Sequence, residues 1–168
     1  MSDALTGGCQ CGAVRFRVER LGRGSICHCR MCQKQFGAFY GPFIDGYGVV
    51  WTRGAPKWFR SSNQARRGFC ADCGTPLSIQ NDGLPTDEIE LAIGAFDDPA
   101  RAAPAIQVNP RDKLPFVDGL PSLHTRTAME DPEQEAFNAS VVSYQHPDHD
   151  TDAWPPARKP ANASPPGR

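Results

Sequence analysis

The chain has 168 residues, 39% of them hydrophobic, which is enough for one domain with a real core. Its 18 basic and 19 acidic side chains leave a formal charge of −1, so no overall field draws it to nucleic acid or to an anionic membrane. No run approaches the roughly 20 apolar residues that span a bilayer, and the opening residues carry no basic region followed by an apolar stretch, so a cytoplasmic protein is expected.

The first predicted element covers residues 13–19, where Val14, Phe16 and Val18 alternate with Arg15, Arg17 and Glu19. That is the period of a half-buried strand with its arginines in water. Residues 21–25 contain Gly22 and Gly24 and read as a turn. A helical turn or two is expected over 30–36, and Pro42 limits 39–44 to an edge strand. Residues 49–52 and 57–60 read as two strands joined by the turn Arg53-Gly54-Ala55-Pro56. Further strands are expected over 66–69, 77–80 and 88–93, the last alternating Ile89, Leu91 and Ile93 with Glu88, Glu90 and Ala92. A short extended segment follows at 105–108. Short strands broken by Gly/Pro turns describe a mainly β fold of small antiparallel sheets.

The character changes at Met129. Seven of the sixteen prolines lie between Pro132 and Pro166, a composition that buries too little apolar surface to offset its ordering entropy. We divide the chain into a domain over 1–128 and a Pro-rich tail over 129–168. Within the tail, 130–143 suits a marginal helix, and the chain beyond Tyr144 is expected to be flexible or loosely draped.

The seven cysteines carry the chemistry. An odd number in tight clusters does not suit disulfides in a reducing compartment. The clusters are Cys9-Gln10-Cys11-Gly12, Cys27-His28-Cys29-Arg30-Met31-Cys32 and Cys70-Ala71-Asp72-Cys73-Gly74. Residues two apart in an extended strand face the same side, so Cys9 and Cys11 can reach one ion. A Cys-x-x-Cys turn brings two sulfurs round a tetrahedral ion, and a following glycine permits left-handed backbone. Zinc takes four ligands, so seven thiolates imply two sites. Keeping whole clusters together gives a four-cysteine site from Cys9, Cys11, Cys70 and Cys73. Three sulfurs then remain, from Cys27, Cys29 and Cys32, with one position open. Spacing also permits Cys27 and Cys29 to join Cys70 and Cys73. A closed site is structural, whereas three protein ligands plus an exchangeable one is the catalytic pattern. Spacing leaves that role for the second site open.

At these residues the chain resembles the family of glutathione-dependent formaldehyde-activating enzymes, which includes centromere protein V. The similarity runs from Gly7 to about His124. It rests on Gly8-Cys9-Gln10-Cys11-Gly12-Ala13-Val14, Cys27-His28-Cys29-Arg30-Met31-Cys32-Gln33 with Gly37-Ala38, Gly54 with Trp58-Phe59-Arg60-Ser61-Ser62, and Arg67-Gly68-Phe69-Cys70-Ala71-Asp72-Cys73-Gly74-Thr75-Pro76-Leu77. The resemblance implies a β-tent of antiparallel sheets stapled by zinc. It places a structural zinc on Cys9, Cys11, Cys70 and Cys73, and a second, catalytic zinc on Cys27, Cys29 and Cys32. The implied activity is a carbon–sulfur lyase reaction, the union of formaldehyde with glutathione as S-hydroxymethylglutathione, with a small thiol such as glutathione as partner.

Other side chains are expected in lesser roles. His28 should point away from an ion held by its neighbours. Arg66 and Arg67 suit a solvated strand edge, although they also suit the carboxylates of glutathione. Trp51, Trp58 and Phe59 read as core aromatics, and His124, His146 and His149 as surface residues. Two readings of other classes compete with the enzyme. One is a non-catalytic, zinc-stabilised protein-binding module. The other is a redox or metal-buffering thiol protein, which predicts exchangeable metal and oxidation of Cys27, Cys29 or Cys32 without unfolding.

Overall fold

The computed structural model describes residues 4–85 and 87–153. The mainly β expectation holds. Among the described residues, ten strands form two sheets: β1 (Leu5–Gly8), β2 (Arg15–Val18), β3 (Arg20–Cys27), β4 (Gly41–Tyr47), β5 (Val50–Arg53), β6 (Lys57–Arg60), β7 (Ala65–Phe69), β8 (Pro76–Asn81), β9 (Glu88–Ala92) and β10 (Ile106–Val108). One sheet has three strands in the order β1-β2-β5, and the other has seven in the order β10-β3-β4-β9-β8-β7-β6. All pairs are antiparallel except β10 with β3. A helix of seven residues, α1 (Arg30–Phe36), connects β3 to β4, and α2 (Pro132–Ser140) lies in the C-terminal region.

The main core draws on both sheets. Val14, Phe16 and Val18 pack with Ile44, Leu77, Leu91 and Phe96. Phe16 is fully buried and meets Trp51 and Phe96 edge to face, with ring centroids 5.9 and 5.2 Å away. A smaller core of Cys27, Cys32, Phe43, Ala65 and Ile79 lies under α1, where Phe36 stands edge-on to Phe43.

Several local expectations are corrected. Residues 21–25 are not a turn but the middle of β3, with a register shift between Leu21 and Gly24. Glycine inside a strand marks such an irregularity as readily as it marks a reversal. β4 is not an edge strand, since it lies between β3 and β9. Pro42 is tolerated because it pairs only toward β3, opposite Ile26, and the β9 ladder begins one residue later at Phe43. Residues 49–52 and 57–60 do become strands, but they do not pair, because β5 joins the small sheet and β6 the large one. Phe59 is 62% exposed on the edge strand β6 and is no core aromatic. Trp58 is partly buried, with the Arg66 guanidinium 4.7 Å above its ring.

Arg15 does not face water. It is 3% exposed and grips Asp97 with two hydrogen bonds of 2.7 and 2.6 Å, while Nε donates to Asp150 at 2.9 Å. Asp97 also accepts from Thr6 at 2.5 Å. Burial alone would push its carboxyl up, but Arg15 and Thr6 hold it below the ordinary carboxylate value. Sequence alternation cannot show this, because the anion lies 82 residues away.

Past α2, the chain over 145–153 is fastened to the first cysteine turn. The His146 N–H donates to Gln10 O at 2.8 Å, and Arg53 binds both His146 Nε2, at 3.2 Å, and Thr151. His146 is therefore buried rather than a surface residue, with its ring filling the space a Cβ on Gly12 would need. Burial, with Arg15 and Arg53 beside it, holds its pKa below the usual histidine range. Such a neutral ring donates from Nδ1 to Pro147 O and accepts at Nε2. The prolines at 155–166 fall outside the described residues.

Glu90 gives the large sheet a pH dependence of its own. It sits opposite both Asp45 and Ile79. Burial, and then the Asp45 charge, push its carboxyl up to about 7, although Asn81 donates to it at 2.7 Å. A carboxylate with a raised folded pKa stabilises least once ionised. Its contribution therefore falls as pH rises from about 4.5 to about 7 and is flat above that. Glu90→Gln keeps an acceptor for Asn81 and removes the charge. Urea unfolding should show the variant more stable at pH 8, by about 1–2 kcal/mol, with the gain shrinking toward pH 5. A gain independent of pH contradicts this assignment.

Candidate metal centres

The first cluster is built where two tight turns meet. Cys9 follows β1, and its turn closes with Gly12 N–H donating to Cys9 O at 2.9 Å. Cys70 follows β7, and Gly74 N–H donates to Cys70 O at 3.0 Å. Gly12 and Gly74 have φ of 75° and 77°, the left-handed backbone expected of glycines in these turns. Gln10 N–H donates to Thr75 Oγ1 at 3.0 Å and ties the two turns together. The sulfurs of Cys9, Cys11, Cys70 and Cys73 consequently lie within 4.8 Å of one another. Cys9 and Cys11 are 3.5 Å apart, and Cys11 and Cys70 3.7 Å. Four thiolates at about 2.3 Å from a tetrahedral ion stand about 3.8 Å apart, so the set fits such an ion with little movement.

Without an ion, four thiols in this space oppose one another. Burial pushes Cys11 and Cys70 up, and their sulfur neighbours push the same way. Burial also acts on Cys73, but hydrogen bonds from Thr75 and Cys11 together outweigh it and bring that thiol down to about 6. Cys9 accepts a backbone N–H from Val14 at 3.2 Å. The donors to this cluster are thus neutral. Two of its sulfurs are buried in the main core and two are half-buried against it, and together they offer the four ligands that a tetrahedral ion takes.

The second cluster is assembled by the β3–α1 junction. Cys27 ends β3, and Cys29 is the N-cap of α1, its sulfur accepting from Cys32 N–H at 3.5 Å. One helical turn therefore places Cys32 beside Cys29, and the three sulfurs lie within 4.8 Å of one another. Cys27 and Cys32 are buried, while Cys29 is partly open to solvent. A hydrogen bond from Cys32 leads in lowering Cys27 to about 5 against its burial, with Asn109 helping, and the same bond pushes Cys32 up. The sulfurs of Cys27 and Cys29 do not join those of Cys70 and Cys73, so whole clusters stay together.

Two side chains complete this cluster that the sequence does not announce. Parallel pairing sets Val108 opposite Cys27, so the next residue, Asn109, reaches the Cys27 sulfur with Nδ2 at 3.1 Å. It does so from left-handed backbone, φ 54°, the only such non-glycine among the described residues. Arg67 is 7% exposed, with Nη1 and Nη2 at 3.5 and 3.6 Å from Cys32 Sγ. It lies on β7 opposite Ile79, facing the small core, and is not on a wet edge. Arg66 faces the other way, onto Trp58 and Gln80.

His28 is buried and turned to β10, where Nε2 meets Gln107 Oε1 at 2.8 Å. It stands apart from the three sulfurs, as its place between two of them predicts. His124 is exposed and paired with Glu130 at 2.7 Å, and His149 is exposed.

A family profile described as glutathione-dependent formaldehyde-activating enzyme matches residues 4–111. Among solved structures, a crystal structure of a Rhodobacter sphaeroides protein superposes with a TM-score of 0.50 at 21% identity. The match covers 61% of this chain and 99% of that one, and it is a likeness of fold. No curated protein matches the sequence. The matched region holds both cysteine clusters and the strands that assemble them, and on that basis the chain belongs to the family of glutathione-dependent formaldehyde-activating enzymes.

Proposed function

We propose that the protein is a two-zinc carbon–sulfur lyase that joins a small thiol, such as glutathione, to formaldehyde. In this reading Cys9, Cys11, Cys70 and Cys73 hold a structural zinc, and Cys27, Cys29 and Cys32 hold a second, catalytic one. The unit over 1–128 carries both, with 129–168 as an appendage. Seven reduced cysteines suit a reducing compartment such as the cytoplasm. The observation that carries the reading is the contrast in ligand number between the clusters: four sulfurs fill a tetrahedral set in one, and three in the other leave a fourth position to an exchangeable ligand.

When bound, zinc supplies the second site with a Lewis acid that favours the ionised form of a thiol. The rest belongs to the chain. Asn109 and Arg67 fix the Cys27 and Cys32 sulfurs from behind, so that the open edge lies at Cys29. A thiol arriving there gives its proton to solvent. Its sulfur then forms a bond to the formaldehyde carbon, the carbonyl π pair moves to oxygen, and oxygen takes up a proton. The product contains every atom of the two reactants, so no leaving group, oxidant or reductant is needed. With His28 turned to Gln107, the proton is left to solvent.

Titration calorimetry with glutathione, followed by formaldehyde, tests this reading. We expect one glutathione per chain and accelerated appearance of the hydroxymethyl thioether by NMR. A protein that binds glutathione without accelerating the addition is a binding module instead.

A further inference from the structure

Arg67 is a buried cation without a carboxylate. It is the third residue of β7, and among the described residues no Asp or Glu forms an ion pair with it. Besides the two contacts to Cys32, Nε donates to Ser61 Oγ at 3.0 Å and Nη1 donates to Gln35 Oε1. Both of those acceptors are neutral. A guanidinium withdrawn from water is costly unless an anion replaces the solvent. Of its contacts only the Cys32 sulfur can carry negative charge, as it would when it ligates a metal ion. Arg15, the other arginine buried to this degree among the described residues, is held by Asp97 and Asp150.

Among the described residues, no arginine or lysine side chain is seen to hydrogen-bond a sulfur of the first cluster. Its sulfurs accept from Val14 N–H and from Thr75, both neutral, and a closed set of four has no ligand to exchange. The second cluster faces a different charge balance. A divalent ion with three thiolates carries −1, and a fourth thiolate takes it to −2 in a partly desolvated place. A neutral fourth ligand leaves it at −1. A fixed cation against one of the three sulfurs returns the four-thiolate state to −1 and favours the anionic ligand specifically.

We propose that Arg67 is the counter-cation of the second site, a positioning residue that lets the sulfur of an incoming thiol bind as an anion in preference to a neutral ligand. The proposal rests on the reading of that site as an open three-thiolate centre. The guanidinium touches neither substrate nor the reacting carbon; it acts through Cys32.

The test uses the full chain with cobalt(II) in place of zinc, because cobalt reports its ligands by absorption. Wild type, Arg67→Met and Arg67→Lys are titrated separately with glutathione and with imidazole. Arg67→Met should weaken glutathione 10–100-fold and leave imidazole within about threefold. Arg67→Lys keeps the charge without the fork and should hold glutathione within about fivefold of wild type. Equal weakening of both ligands in Arg67→Met, or loss of glutathione alone in Arg67→Lys, overturns the proposal. Should Arg67→Met fail to fold, the lysine variant decides by itself. A wild-type cobalt protein that takes neither ligand defeats the functional reading instead. Arg67 is then judged by competition with a chelator, where Arg67→Met must surrender the second-site ion 10–100-fold more readily, and unchanged retention refutes the assignment.

Discussion

Cys73→Ser should yield a protein that does not fold. The four sulfurs join a turn after β1 to a turn after β7, so one ion spans the chain from Cys9 to Cys73 and borders the main core. Structural zinc in small modules contributes about 10–16 kcal/mol of apparent binding free energy. A domain of this size has net stability of about 5–15 kcal/mol. Loss of the site therefore removes as much as the fold has to spare. Serine offers a hard, protonated oxygen where the geometry wants a soft anion. The variant should show no cooperative thermal transition by circular dichroism and contain less than one zinc per chain. Wild type treated with a strong chelator should behave alike. A cooperative melt within about 5 °C of wild type contradicts the structural role.

Cys29→Ser should do the reverse. The position is the N-cap of α1, where a serine hydroxyl accepts a backbone N–H as well as sulfur does, so the helix start survives. The side chain is partly exposed, and its loss opens no cavity in the main core, of which it is not a member. We expect a melting temperature within a few degrees of wild type, one zinc fewer per chain and no detectable glutathione binding. The addition reaction should fall at least 100-fold. If Cys29→Ser and Cys73→Ser melt alike, the two clusters do not divide the roles as described. Retained glutathione binding in a folded Cys29→Ser protein places the thiol site elsewhere.

Much of the site could be read before the structure, because cysteine spacing is a local property. Each cluster is held by a turn or a helix start that its own residues define, and Gly12 and Gly74 take the left-handed backbone their positions require. Strands with strict alternation were equally legible; β6 covers 57–60 and β9 begins at Glu88 as expected. The misses have a shared cause. β1 is built from Leu5-Thr6-Gly7-Gly8, which has weak strand propensity. A Cβ on Gly7 would stand 2.4 Å from Ala95 O, so the strand is set by a distant approach and not by its own side chains. Arg15, Arg67 and His146 look wet in sequence, yet each is buried by a partner far along the chain: Asp97, Cys32 and Arg53. A net charge of −1 averages away these local pairings. Asn109 is legible only once β10 is known to run parallel beside β3.

The central claim is that sulfurs from three separated stretches hold two ions, four around one and three around the other. Anomalous scattering collected above and below the zinc edge on crystals of freshly purified protein, with elemental analysis of the same sample, tests it most directly. Two zinc ions per chain are predicted, one amid Cys9, Cys11, Cys70 and Cys73, and one beside Cys27, Cys29 and Cys32. A single ion per chain, or a second peak away from those three sulfurs, would contradict the account.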